Sequence, residues 1–207
     1  LMIFGLASLV VAVPFVLFQR DFKRLLAYSS VEHMGIIALG LGFGGALGTF
    51  GALLHTLFHS LLKPALFFIT GNLLQKYGTR DIAEVRGALK VLPVTGPAAM
   101  LGALAIAGAP PFGIFLTEMT VLTAGFQSAR WAAALVMLVA IALIFMGFVT
   151  HFSRMVFGEA PTGLAPGELG RWTVAPPVAL LAVAGAIGIY VPAPLVHALE
   201  QVVSIVR

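Results

Sequence analysis

The chain has 207 residues, of which 60% are hydrophobic and 10% charged, and its formal net charge is +4. Soluble domains carry about 25% charged residues, so this composition excludes a water-soluble globule and predicts an all-α polytopic membrane protein. The positive charge is spread over short loops with no basic run interleaved with aromatics, which excludes nucleic acid as a partner.

The chain opens inside an apolar segment, LMIFGLASLVVAVPFVLF, that has no signal-peptide cleavage site after it. The expectation is a fragment whose N-terminal half is missing. The first helix ends near Phe18 at QRDFKR, where Arg20, Lys23 and Arg24 mark a membrane surface. A second helix, roughly Leu25 to Gly42, crosses back to the glycine-rich GFGGALG. A third runs from about Thr49 to Tyr77. Its exit loop carries Lys76, Arg80, Arg86 and Lys90, so this loop and the 19–24 loop are expected on the cytoplasmic side.

The next apolar stretch, Val94 to Gln127, is interrupted by GAPPFG at 108–113. Two prolines flanked by glycines break a helix. Either one broken span or two tight crossings fits the length; the uncharged break favours one span, because it holds nothing at the surface. A fifth helix covers about Trp131 to Phe152. The loop GEAPTGLAPGELGR, with Arg154 and Arg171 at its edges, returns to the cytoplasmic side. A sixth helix covers about Trp172 to Tyr190, and VPAPLVHALEQVVSIVR reads as an interfacial helix on the opposite face. The expected organisation is a transmembrane bundle of about six spans over 1–190, with two discontinuous or kinked helices, and an interfacial tail over 191–207.

An ionisable side chain at the centre of a membrane helix costs about 2.5–3.5 kcal/mol on insertion scales, so each one requires a partner or a cavity. The candidates are Glu32, His33, His55, His59, Lys63 and Glu118. In HTLFHSLLK, residues four apart differ by about 40° in azimuth and about 6 Å in rise, so His55, His59 and Lys63 form one stripe about 12 Å long. Such a stripe suits a proton relay along a hydrated path. Pro64 cannot donate to the carbonyl of Ser60, which is expected to kink the helix and free an acceptor beside the lysine. The bland alternative is that these residues are helix–helix glue that never changes protonation. Glu118 sits beyond the break, where half-helix ends in transporters hold ions, with Thr117 beside it; the alternative is a Glu near the far surface. Glu32 and His33 point about 100° apart, so only one is expected to face a given cavity, while Ser29 and His33 share a face. His151 and His197 are expected at the surface.

Zero cysteines exclude cysteine-ligated iron–sulfur clusters, c-type haem and disulfides within this chain. Phosphate-binding glycine loops, GxSxG and HExxH are absent, and the i, i+4 histidines lack an acidic or thiolate neighbour to complete a metal shell. No cofactor, metal or catalytic residue is expected.

The order DFKRLLAYSSVEHMG, HTLFHSLLKPALFFITGNLL, TRDIAEVRG and AGAPPFGIFLTEM resembles the antiporter-like membrane subunits shared by respiratory complex I, Mrp-type cation antiporters and group 4 membrane-bound nickel–iron hydrogenases. SSVEHMGI and the following loop are most similar to component F of hydrogenase 4, a relative of formate hydrogenlyase. The resemblance implies a fourteen-helix subunit of two inverted five-helix repeats, of which this chain supplies the last six helices. It implies that protons, or sodium, move in response to redox chemistry in partner membrane subunits of an oxidoreductase, in the bacterial inner or plasma membrane, with no redox centre in this chain. It matches His55, His59 and Lys63 to the family's eleventh helix and Glu118 to the Lys or Glu of its broken twelfth. A free-standing cation/proton antiporter and a purely structural membrane scaffold are the alternatives.

Overall fold

A computed structural model describes residues 1–206. Its helices are α1 (Met2–Leu17), α2 (Phe22–Phe43), α3 (Gly45–Tyr77), the single turn α4 (Ala88–Val91), α5 (Thr95–Ile106), α6 (Gly113–Gln127), α7 (Trp131–Val156), α8 (Arg171–Ile189) and α9 (Ala193–Val206). The described residues contain no strand, only an isolated antiparallel bridge between Asp21 and Asp81. This is an all-α membrane helix bundle. The carboxylate of Asp21 caps α2 by accepting from the Lys23 and Arg24 amides at 2.8 and 3.1 Å, so QRDFKR is a helix start as well as a surface marker.

Helix α3 is the hub and packs against α2, α5, α6, α8 and α9, while α1 packs on α2 and α7. It remains helical through Pro64. The GFGGALG stretch opens only at Gly44, where φ of +73° turns the chain from α2 into α3.

The break between α5 and α6 has a definite construction. Gly108 adopts φ of +82°, and the Ala109 amide donates to the Leu104 carbonyl at 2.9 Å, the six-to-one bond of a Schellman helix end. The two prolines follow, and α6 restarts at Gly113 after an extended Phe112. At about 1.5 Å per residue neither half reaches across a hydrocarbon core of about 30 Å. The start of α5 is capped by Glu168, whose carboxylate accepts from the Val94 and Thr95 amides at 2.8 and 2.9 Å. The end of α6 lies beside Gly44 at the other rim. The pair therefore makes one broken crossing.

The basic loops meet at one rim. The Phe22 amide donates to Arg80 O and the Ile82 amide to Arg20 O, Gly87 N donates to Phe157 O, and Lys76 Nζ donates to Gly167 O. This rim holds Arg20, Arg24, Arg80, Arg86, Lys90, Arg154 and Arg171, whereas among the described residues Arg130 is the one cation at the opposite rim. By the positive-inside bias the first rim is cytoplasmic. α9 packs its buried Val203 near Ala46, Leu47 and Phe50, at the non-cytoplasmic end of α3.

Small residues let the helices approach. A Cβ added at Gly5 would stand 2.8 Å from Gly35 O, and one at Gly35 would stand 2.9 Å from Gly5 O, a reciprocal close contact of α1 with α2. Gly35→Leu is expected to destabilise the bundle by about 1–3 kcal/mol through overpacking. Val31→Leu, on the exposed face of α2, should leave thermal unfolding in detergent unchanged.

Candidate functional site

Lys63 lies near the middle of α3, about 27 Å along the helix from Gly45 and about 21 Å from Tyr77. Its side chain is 6% exposed. An ammonium there needs acceptors, and α2 provides them: Lys63 Nζ donates to the Leu26 carbonyl at 2.6 Å and to the Ser29 hydroxyl. Ser29 in turn donates to Leu26 O at 3.2 Å.

The histidines are joined through α2 as well. His33 Nδ1 lies 2.9 Å from His55 Nε2, and His55 Nδ1 lies 2.8 Å from Thr117 Oγ1. Thr117 gives its single hydroxyl proton to the Ile114 carbonyl at 2.8 Å. Donor arithmetic then assigns the rest. His55 Nδ1 must donate to Thr117, His55 Nε2 must accept, and His33 Nδ1 must be the donor. That leaves His33 Nε2 without a proton in the neutral ring. It is buried, has no hydrogen-bond partner among the described residues, and stands 3.8 Å from Glu32 Oε2.

Along α3 itself no direct side-chain hydrogen bond connects His55, His59 and Lys63 among the described residues. The half-buried His59 has its ring 5.0 Å from the His33 ring, and its Nε2 is also without a partner. The stripe on α3 is real, but the side chain between its members belongs to α2.

Glu118, 3% exposed, follows Thr117 on α6. Its carboxylate fills the hollow made by Gly108: a Cβ at that glycine would come within 2.2 Å of Glu118 Oε2. The Schellman end of α5 and the second turn of α6 therefore enclose one carboxylate. At the start of α6 the Phe58 ring of α3 occupies the space a Cβ on Gly113 would need. The alternative of a Glu near the far surface is not what the fold builds.

All six sequence candidates lie in this region of α2, α3 and α6, and one expectation changes. Glu32 and His33, about 100° apart on α2, are both buried, because α1, α3 and α6 pack around that helix. His151, read as a surface residue, is buried against α1 with Nε2 donating to Val16 O and Leu17 O at 3.0 and 3.2 Å. His197 is exposed and pairs with Glu200 at 3.4 Å. Ser29 and Thr117 were legible only as polar neighbours of His33 and Glu118, since the i, i+4 spacing shows a shared face but not the opposite helix. Among the described residues no group of His, Cys, Asp or Glu side chains has a metal-binding arrangement.

A helix bundle that surrounds connected ionisable side chains with apolar spans defines a multi-pass membrane protein with a titratable interior. The chain belongs to the NADH:quinone oxidoreductase/Mrp antiporter transmembrane family, whose pattern matches residues 1–146. It is 47% identical over 130 residues to the hydrogenase-4 component F homolog of Methylacidiphilum infernorum, covering 63% of this chain and 27% of that protein. It is 35% identical over 159 residues to NADH-quinone oxidoreductase subunit N of Desulforudis audaxviator, covering 76% of this chain and 31% of that one. A chain of respiratory complex I from Thermus thermophilus superimposes with a TM-score of 0.84 at 25% identity, over 100% of this chain and 44% of its own length. The chain thus spans about a third or less of the two curated relatives.

Gly108→Ala is expected to cost more than about 1 kcal/mol, because alanine at positive φ is strained and its methyl meets the carboxylate. The infrared carboxyl band that disappears in Glu118→Gln should shift in Gly108→Ala, and an unshifted band would remove this packing from the site.

Proposed function

We propose that this chain is the relay-bearing part of a proton-translocating membrane subunit in a multisubunit redox complex of the NADH:quinone oxidoreductase or hydrogenase type, in an energy-coupling plasma membrane. The observation that carries the reading is the hydrogen-bonded run from His33 through His55 to Thr117, with Lys63 held one turn away at Ser29 and Glu118 next in sequence to Thr117. Family membership and the higher identity to a hydrogenase-4 component F homolog than to subunit N support it.

In this reading Lys63, Glu32, His33, His59 and His55 pass protons toward Glu118. A proton arriving at the bare Nε2 of His33 lets His33 Nδ1 give its proton to His55 Nε2. His55 Nδ1 then gives its own proton to Thr117 Oγ1. Thr117 can accept it only by releasing its hydroxyl proton, and because neighbours on a helix diverge by about 100° that proton reaches the Glu118 carboxylate in this scheme through an intervening water. Charge displacement provides the drive: in a low-dielectric interior, adding or removing a charge in a partner subunit changes the energy of a proton on Lys63 or Glu118. The transported ion in this scheme is the proton, with sodium the alternative. Other membrane subunits would supply the remaining path and the electron chemistry, and no cofactor is needed here.

The family's description also covers Mrp antiporters, in which the same residues would serve exchange driven by an ion gradient. Gradient-driven flux by the subunit free of partners would support that reading.

In the full-length subunit within its native complex, Lys63→Met and Glu118→Gln are each expected to lower redox-driven proton pumping about 100-fold, the lower range for loss of a positioned proton-transfer group. Pumping unchanged in both variants would leave a structural scaffold as the role. A second pair separates shape from chemistry. Thr117→Val keeps the shape but removes the hydroxyl and should block pumping, while Thr117→Ser should restore it. Equal pumping in Thr117→Val and wild type would remove Thr117 from the path.

A further inference from the structure

Away from the relay, α1 and α7 share a seam with two distinct cavities. One is an apolar groove of about 400 Å³ lined by Val10 and Val13 of α1 and by Val136, Val139, Ala140 and Leu143 of α7. The other, of about 420 Å³, lies at the cytoplasmic rim and is lined by Gln19, Arg20, Asp81, Arg86, His151 and Arg154.

The spacing places both cavities on one line. Val10, Val13 and Leu17 recur at three- and four-residue intervals, as do Val136, Ala140, Leu143, Gly147, His151 and Arg154, so each set forms a single helix face, and Arg20, three residues past the end of α1, lines the rim cavity beside His151 and Arg154. The helices touch at Gly147, where an added Cβ would stand 3.1 Å from Val16 Cγ1. A flexible chain following the seam would pass over that crossing on its outer side, where Phe18 and Met146 are exposed. From Leu143 to His151 is about 12 Å of helical rise, within the roughly 15 Å of half a hydrocarbon core.

The chemistry at the rim is unbalanced. Arg20, Arg86 and Arg154 surround one carboxylate, Asp81, and none of these arginines forms an ion pair among the described residues. Guanidinium groups bind phosphate oxygens in a fixed, multidentate geometry. Acceptors stand beside them. Because His151 Nε2 donates to the Val16 and Leu17 carbonyls, Nδ1 of the neutral ring is an acceptor, and it has no partner. Asp81 adds carboxylate oxygens.

We infer that the α1–α7 seam is a binding site for an anionic phospholipid with a hydroxyl-bearing head group. The arginines hold its phosphodiester, His151 and Asp81 face its hydroxyls, and one acyl chain lies in the groove. The charge excludes a zwitterionic lipid as the preferred occupant, and the apolar groove distinguishes a lipid from free phosphate.

The test is photo-crosslinking of the full-length subunit in its native complex, reconstituted into phosphatidylcholine vesicles. These carry a trace of phosphatidylglycerol with a photoreactive group midway along one acyl chain or, in a parallel arm, the matching phosphatidylcholine. Labelling of residues 10–13 and 135–143 is read by mass spectrometry. Phosphatidylglycerol should label this seam in preference to phosphatidylcholine, and the preference should fall about fivefold for each arginine removed in Arg20→Gln and Arg154→Gln. Arg154→Lys keeps the charge but loses the guanidinium fork, so its preference should fall between those of wild type and Arg154→Gln, which separates lost charge from misfolding. Equal labelling by the two lipids, or a preference that survives in the double Gln variant, overturns the proposal. So does suppression by phosphate but not by chloride at the same ionic strength, which would assign the rim cavity to the free anion. Should the double variant fail to assemble, the wild-type comparison of the two lipids decides.

Discussion

An ammonium group in the middle of a hydrocarbon slab has no water to solvate it, so the protein must bring oxygen atoms to it. Lys63 meets that demand by bonding to the backbone of a neighbouring helix, at Leu26 O, and to the Ser29 side chain one turn further on. The contact ties the middle of α3 to α2 at a fixed height. Ser29 then lies one turn from Glu32 and His33, so the register that satisfies the lysine also delivers His33 to His55. One desolvation problem thereby sets the alignment of the whole polar interior.

The second structural device is the broken helix. An uninterrupted helix from Thr95 to Gln127 would satisfy its own backbone and leave no room for a carboxylate among its turns. Ending α5 at Gly108 and restarting α6 at Gly113 creates a hollow bounded by a glycine, and Glu118 fills it. The same restart presents Thr117 to His55. Glycine here provides both positive φ and the absence of a side chain, and alanine lacks both properties. The polar run is thus assembled from α2, α3 and α6, with no single helix carrying it.

The two ends of the bundle differ in how they are held. At the cytoplasmic rim main-chain bonds join the loops after α1, α3 and α7, and Glu168 caps α5 across a long separation in sequence. At the other rim the turns are short, with Gly44 alone separating α2 from α3. A knitted, cationic rim beside a groove on α1 and α7 differs from a lipid-facing helix surface, which has neither loops nor charge. That contrast singles out the seam.

Composition and spacing alone determined much of this protein. Continuous apolar segments bounded by charge specified the spans, because a membrane helix must satisfy its own backbone and its length is set by the bilayer. The stripe His55, His59, Lys63 and the break at GAPPFG were legible for the same local reason, since helical period and proline chemistry operate within a few residues. The partner of each buried group was decided only by tertiary structure. Nothing local to HTLFHSLLK says that His33 would stand between its histidines, that Leu26 O would accept from Lys63, or that α1 would bury His151. Those contacts join residues 22 to 135 positions apart. They depend on crossing angle and register between helices, which side-chain packing sets and helical period does not encode.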